Sequence, residues 1–189
     1  MKKYFRDYLG LLIVSGTVVI LDQWTKALVR TGLSMGETWL PGKLIWLAPY
    51  ARIVNWYNTG AAFGIFQGGA LVFTLLAFLV IGAILYYYPR TETNDRVLRF
   101  AMGMQMGGAF GNLIDRLTMG GKVTDFISLG KFPVFNIADS SISIGVAVLL
   151  LGLWIKERNE KRVVRIEPDE HEKPSPHGDP KGSSDIQVS

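Results

Sequence analysis

ALVFTLLAFLVIGAILYYY, residues 70–88, runs for 19 positions without a charge. A helix needs about 20 predominantly apolar residues to cross a bilayer, so this stretch alone marks the chain as a membrane protein. Working outward from it, charges bracket three shorter apolar runs. Asp7 and Asp22 enclose 14 uncharged residues, Arg99 and Asp115 enclose 15, and Asp139 and Lys156 enclose 16. Each is long enough to span only if it carries a polar residue at one end. None has a clean amphipathic period, which suits helices facing lipid better than helices of a soluble core. The expectation is an all-α membrane protein of four transmembrane helices.

The charge distribution orients the spans. Residues 156–189 hold seven Lys or Arg and eight Asp or Glu, and the remainder of the chain holds only 13 and eight. Basic residues before the first run, between the second and third, and after the fourth as far as Arg165 number 11, against seven in the other two connections. Positive charge favours the cytoplasmic side, so both termini are expected in the cytoplasm. The net charge of +4 follows from this asymmetry and calls for no nucleic-acid partner. A cleaved signal peptide is the rival reading of the N-terminus, but LDQWTK stands where a small-residue cleavage site is needed. The expected organisation is a four-helix membrane domain over 1–155 and a polar, disordered cytoplasmic tail over 156–189.

The chain has no Cys, and its two His, His171 and His177, lie in the tail. Within the body this excludes a thiolate nucleophile, a Ser-His-Asp triad and a histidine-bound metal. Neither a metal nor a cofactor is called for. The outer connections contain two short β-branched and aromatic runs, 44–47 and 52–57, around Ala48-Pro49-Tyr50, which reads as a small hairpin. Trp24, Trp39, Trp46 and Trp56 fit an interfacial aromatic belt.

Four acids converge in depth. At about 1.5 Å per residue, Asp22, Asp115 and Asp139 each lie roughly 24 to 26 Å from the basic residue at the inner end of their span. They therefore reach one layer at the outer edge of the hydrocarbon, and Asp125, in the short connection between the last two spans, returns to it. Each has a plain structural alternative. Asp22 and Lys26 form an i, i+4 pair, Asp139 can cap its helix, and Asn112, Asp115 and Arg116 share a face that can hydrogen-bond across helices. Asp125 can be an ordinary loop acid, although Val123, Phe126 and Ile127 surround it. Two carboxylates brought together share a proton, and such a pair can activate water and protonate a departing amide nitrogen. Aspartic hydrolysis is the most economical chemistry left by the composition. A proton relay would also use intramembrane acids, but at several depths.

Five segments then carry a resemblance: LDQWTK (21–26), NTGAAFG (58–64), GGAFGNLIDRL (107–117), VTDFI (123–127) and FNIADS (135–140). In order and spacing they closely resemble the sequence blocks of the lipoprotein signal peptidases, signal peptidase II. The resemblance implies an aspartic endopeptidase of the bacterial inner membrane that cleaves diacylglyceryl-modified prolipoproteins just before the lipidated cysteine, at the outer face. It implies sensitivity to globomycin-type inhibitors, contact with membrane lipid, and a monomer. It places the catalytic pair at Asp125 and Asp139, and supporting residues at Asp22, Lys26, Asn58, Gly60, Gly108, Asn112, Asp115, Arg116, Asn136 and Ala138. It also implies an outer β-cradle, corresponding to the hairpin region, and a short mobile lid helix near 61–67. Thr124 stands where a second Val is more usual.

Overall fold

The computed structural model describes residues 2–60 and 68–164. Among these residues the elements run, in chain order, α1 (Lys2–Gly32), β1 (Thr38–Trp39), β2 (Ala51–Asn58), α2 (Ala70–Tyr87), α3 (Arg96–Thr118), β3 (Val123–Leu129) and α4 (Ile137–Val164). The chain divides into two compact units, 1–153 and 154–189. The first holds the three strands, α1 to α3 and most of α4. In the second, the end of α4 sets the Arg158 guanidinium over the Trp154 ring at 5.3 Å.

Among the described residues, three stretches are long and apolar enough to cross a membrane: Tyr8–Gly32, Ala70–Arg90 and Ile137–Asn159. The first outruns the apolar segment that ends at Asp22. Ala27, Leu28 and Val29 carry the helix onward to Gly32, and this extension takes Lys26 and Arg30 into α1 on the face of Asp22. In α2 the buried positions Ala77, Ile81 and Ile84 form one narrow stripe, while Leu71, Leu75 and Leu79 point outward. Just past its end, Tyr88 is fully buried, stacked on Tyr8 with the ring centres 5.7 Å apart.

α3 is as long as a span, but Gln105, Asn112 and Asp115 interrupt its apolar sequence. It is the central helix, with 11 buried residues. Asp95 caps it by accepting Leu98 N at 3.0 Å. Its small residues set the packing. A Cβ on Gly103 would lie 2.8 Å from Val14 of α1, and one on Gly107 would lie 2.8 Å from the Ser15 carbonyl. On the opposite side, a Cβ on Gly108 would strike the Ala138 backbone oxygen of α4. Helices in lipid gain little from apolar burial against one another, so such close backbone approach is what holds them together. Gly108→Ala is expected to cost about 1–3 kcal/mol, because the obstacle is backbone and cannot turn aside. Gly16, by contrast, has open space where its Cβ would be, so Gly16→Ala is expected to raise stability by up to about 1 kcal/mol. Thermal melting of both variants in one detergent checks the pair of signs.

The strands form one antiparallel sheet in the order β1-β2-β3. The expected hairpin between 44–47 and 52–57 does not form. Residues 52–57 are strand, but 44–47 lie in a 3-10 turn (Gly42–Leu47), and β2 pairs with β1 and β3 instead. Pro41 and Pro49 flank the turn, and Leu44 N→Pro41 O and Ala48 N→Ile45 O close it tightly, leaving no extended edge for β2 to use. β3 replaces the expected loop around Asp125. Gly120 and Gly121, with φ of 62° and 87°, make the turn that enters it from α3. Trp56 stands opposite Asp125 and Asn58 opposite Val123. Residues 61–67, where the short lid helix was expected, lie outside the described residues.

Candidate active site

The site begins on one face of α1. Asp22, Lys26 and Arg30 recur every four residues and so line up along the helix. Lys26 is completely buried, with Nζ 2.8 Å from Asp22 Oδ2, 3.3 Å from Asp115 Oδ2 and 3.0 Å from Asn112 Oδ1. The other Asp22 oxygen accepts Ala138 N at 2.9 Å, tying α1 to the start of α4. The i, i+4 ion pair read from the sequence is thus real and joins three helices. Gly111 makes room for it, since a Cβ there would lie 2.6 Å from Asp22 Oδ2.

Asp115 faces the same cations. It accepts from Arg30 at 3.3 Å and Gln23 at 3.2 Å on one oxygen, and from Thr124 N at 2.9 Å on the other. Buried charges need this degree of pairing. Arg116, next in sequence, turns the opposite way. It lies on a cavity wall, 3.5 Å from the Asn112 carbonyl, with its guanidinium 5.4 Å from the centre of the Phe73 ring.

Two amides connect this buried network to a pair of acids. Asn112 accepts from Lys26 and donates to Asp139 Oδ1 at 2.7 Å. Asn136 caps α4 reciprocally with Asp139: Asp139 N donates to Asn136 Oδ1 at 2.8 Å, and Asn136 N donates to Asp139 Oδ2 at 3.2 Å. The Asn136 amide nitrogen also reaches Asp125 Oδ1 at 2.7 Å, Asn112 Oδ1 at 3.1 Å and the Thr124 carbonyl at 3.3 Å. Asn58 donates to the second Asp125 oxygen at 3.1 Å while accepting Gly60 N at 2.9 Å. The capping role foreseen for Asp139 therefore holds, and the same carboxylate shares Asn136 with Asp125.

Asp125 and Asp139 line one cavity of about 810 Å³ with Asn58, Gly60, Asn112 and Arg116. Most of the remaining wall is apolar, including Phe73, Ala109, Phe132 and Phe135. All 12 residues singled out from the sequence are thereby accounted for: six on the cavity, and Asp22, Lys26, Gly108, Asp115, Asn136 and Ala138 behind it. Sequence reading missed Gln23, Arg30 and Thr124. Arg30 had a signal, being four residues beyond Lys26. Thr124 had little, because its backbone N and O make two of its contacts, and its hydroxyl accepts from Arg30 at 3.3 Å.

Burial, followed by the negative charge of Asp139, pushes the Asp125 carboxyl up to about 7, against hydrogen bonds from Asn58 and Asn136 and the charge of Lys26. The folded protein therefore keeps a proton that the unfolded chain releases near pH 4. This contribution to stability is fully present below pH 4 and is lost as pH rises to 7, roughly 4 kcal/mol in all. The melting temperature of wild type relative to Asp125→Asn is expected to fall between pH 5 and pH 8. A constant difference between the two would contradict the raised value.

A sequence profile described as "Signal peptidase (SPase) II" matches residues 14–155. The chain belongs to the signal peptidase II family. As a member it is an aspartic peptidase. It is 42% identical over 154 residues to a lipoprotein signal peptidase of Shouchella clausii, covering 81% of this chain and 98% of that one. A lipoprotein signal peptidase of Halalkalibacterium halodurans is 37% identical, with 79% and 95% covered. Among solved structures, a bacterial membrane enzyme determined by the in meso method at 2.3 Å superposes with a TM-score of 0.72 at 29% identity, covering 87% of this chain and 93% of that one.

Proposed function

We propose that this chain removes the signal peptides of diacylglyceryl-modified prolipoproteins, cutting just before the lipidated cysteine, with Asp125 and Asp139 as the catalytic pair. The observation that carries the reading is the sharing of Asn136 by these two acids at the wall of one largely apolar cavity. One carboxylate, ionised, takes a proton from water as the water oxygen bonds to the scissile carbonyl carbon. The other, protonated, gives its proton to the nitrogen as the carbon–nitrogen bond breaks. The pair carries one proton between its members, and its two titrations belong to the pair. Asp22, Lys26, Asn112, Asp115, Asn136 and Ala138 hold the acids in place. Asn58, Gly60 and Arg116 face the substrate backbone, and Gly108 allows α4 to lie close enough to present Asp139.

The reading includes α3 as a fourth span, central and shielded, which explains its lower hydropathy beside the other three. It includes the inner membrane as location, both termini in the cytoplasm and the acids at the outer face, supported by the 11 to seven division of basic residues. Residues 1–155 are the peptidase domain and 156–189 a cytoplasmic tail. The sheet serves as the cradle beside the cavity, the enzyme acts as a monomer, and globomycin-type cyclic peptides compete for the same cavity.

The test is cleavage by purified protein in phospholipid vesicles of two prolipoprotein peptides, one bearing diacylglyceryl on its cysteine and one unmodified. Cleavage of the lipidated peptide alone, leaving the modified cysteine as the new N-terminus, is expected. Equal cleavage of both, or a cut elsewhere, would overturn the substrate assignment.

A further inference from the structure

The cavity extends well past the two acids. Gln105, Ala109, Asn112 and Arg116 line it at helical spacing along α3. Gln105 precedes Asn112 by seven residues, which is about 10 Å of helix. It lies level with Gly145 of α4, where a Cβ would come within 3.0 Å of Gln105 Cγ. Ile144 and Val146 line the cavity beside it, and Ala77 and Val80 of α2 form more of the wall. Gln105 Nε2 is buried and has no hydrogen-bond partner. Among the described residues only Asn55 Oδ1, in the sheet, shares that condition.

An unpaired amide at membrane depth destabilises the protein, and an apolar side chain of the same length would fill the space without that penalty. A signal segment entering the bilayer as a helix has the complementary deficit. To present an extended scissile bond it must unwind, and its last carbonyls then lose their intrahelical donors. Extended chain rises about 3.3 Å per residue, so an oxygen 10 Å below the acids belongs to a residue about three positions before the scissile bond. The ester carbonyls of the diacylglyceryl group are the other acceptors of the same chemistry that reach this level.

We propose that Gln105, whose side chain lines the deep part of the cavity, turns its unpartnered amide out of its packed position and donates a hydrogen bond to a carbonyl oxygen of the bound substrate. This makes Gln105 a substrate-positioning residue. The proposal rests on the peptidase reading above.

The experiment compares wild type with Gln105→Met, which keeps length and loses the donor, in phospholipid vesicles. Three lipidated peptides are used: the natural form, a diether-linked form without ester carbonyls, and a form in which a backbone ester weakens the carbonyl three residues before the cut. Gln105→Met is expected to lower kcat/KM on the natural form about tenfold, mainly through KM, with Tm unchanged or raised. The loss should vanish on the backbone-ester form if the acceptor is peptide, and on the diether form if it is lipid. A change under twofold on the natural form, or an equal loss on all three with a lower Tm, would overturn the proposal. A wild-type enzyme that cuts none of them would instead overturn the peptidase reading.

Discussion

Asp139→Asn and Asp125→Asn are each expected to lower kcat on a lipidated prolipoprotein by about 10³-fold or more while leaving the protein folded. A positioned acid or base supplies 10²- to 10⁴-fold, and losing either member of a pair that shares one proton removes both functions. The fold should survive because an amide replaces each carboxylate at nearly equal volume. In the Asp139→Asn protein the remaining side-chain oxygen can still accept Asn112 Nδ2 or Asn136 N, which approach the wild-type Asp139 carboxylate at 2.7 and 3.2 Å. Kinetics on purified protein, with melting curves as the control, reads both effects. Wild-type turnover by either folded variant would remove that acid from the mechanism.

Lys26→Met is expected to act through the fold instead, lowering activity because the folded protein is strongly destabilised. Its Nζ is the shared donor for Asp22, Asp115 and Asn112, and nothing from solvent can replace it at a completely buried position. Removing one partner of a buried charge cluster costs about 3–5 kcal/mol, a large part of the usual margin of stability. A fall in Tm of roughly 10 °C is expected for a domain of this size. Lys26→Arg should not rescue it fully, since a planar fork cannot address three acceptors from the position of a single nitrogen. A Tm close to wild type would contradict a structural role for the Lys26 cluster.

These two predictions separate the part of the site that reacts from the part that supports it, and the sequence showed that division only partly. Helix geometry placed Asp22, Asp115 and Asp139 in one layer, and the structure joins them through Lys26, Asn112 and Asn136. Depth has no angular coordinate, however. It could not tell that Asp115 turns toward α1 while Arg116 turns to the cavity. β3 was missed because its residues 123–126 are all buried, so the alternation that announces a half-exposed strand is absent. The turn at 42–47 was misread because Leu, Ile and Trp suit a strand, and the closing hydrogen bonds come from backbone atoms. Gln105 is not legible as a site residue from the sequence. A lone glutamine in an apolar run has no pattern, and its interest lies in a missing partner that only coordinates reveal.

In the proposed mechanism the carboxylate pair directs water straight onto the peptide bond. The measurement that bears on it most directly is cleavage of a lipidated prolipoprotein peptide in H2¹⁸O with hydroxylamine present, followed by mass analysis of the released signal peptide. Direct attack predicts one ¹⁸O in the new C-terminal carboxylate and no hydroxamate. A hydroxamate product would reveal an acyl-enzyme, formed on Ser140, Ser141 or one of the acids themselves, and would contradict the account.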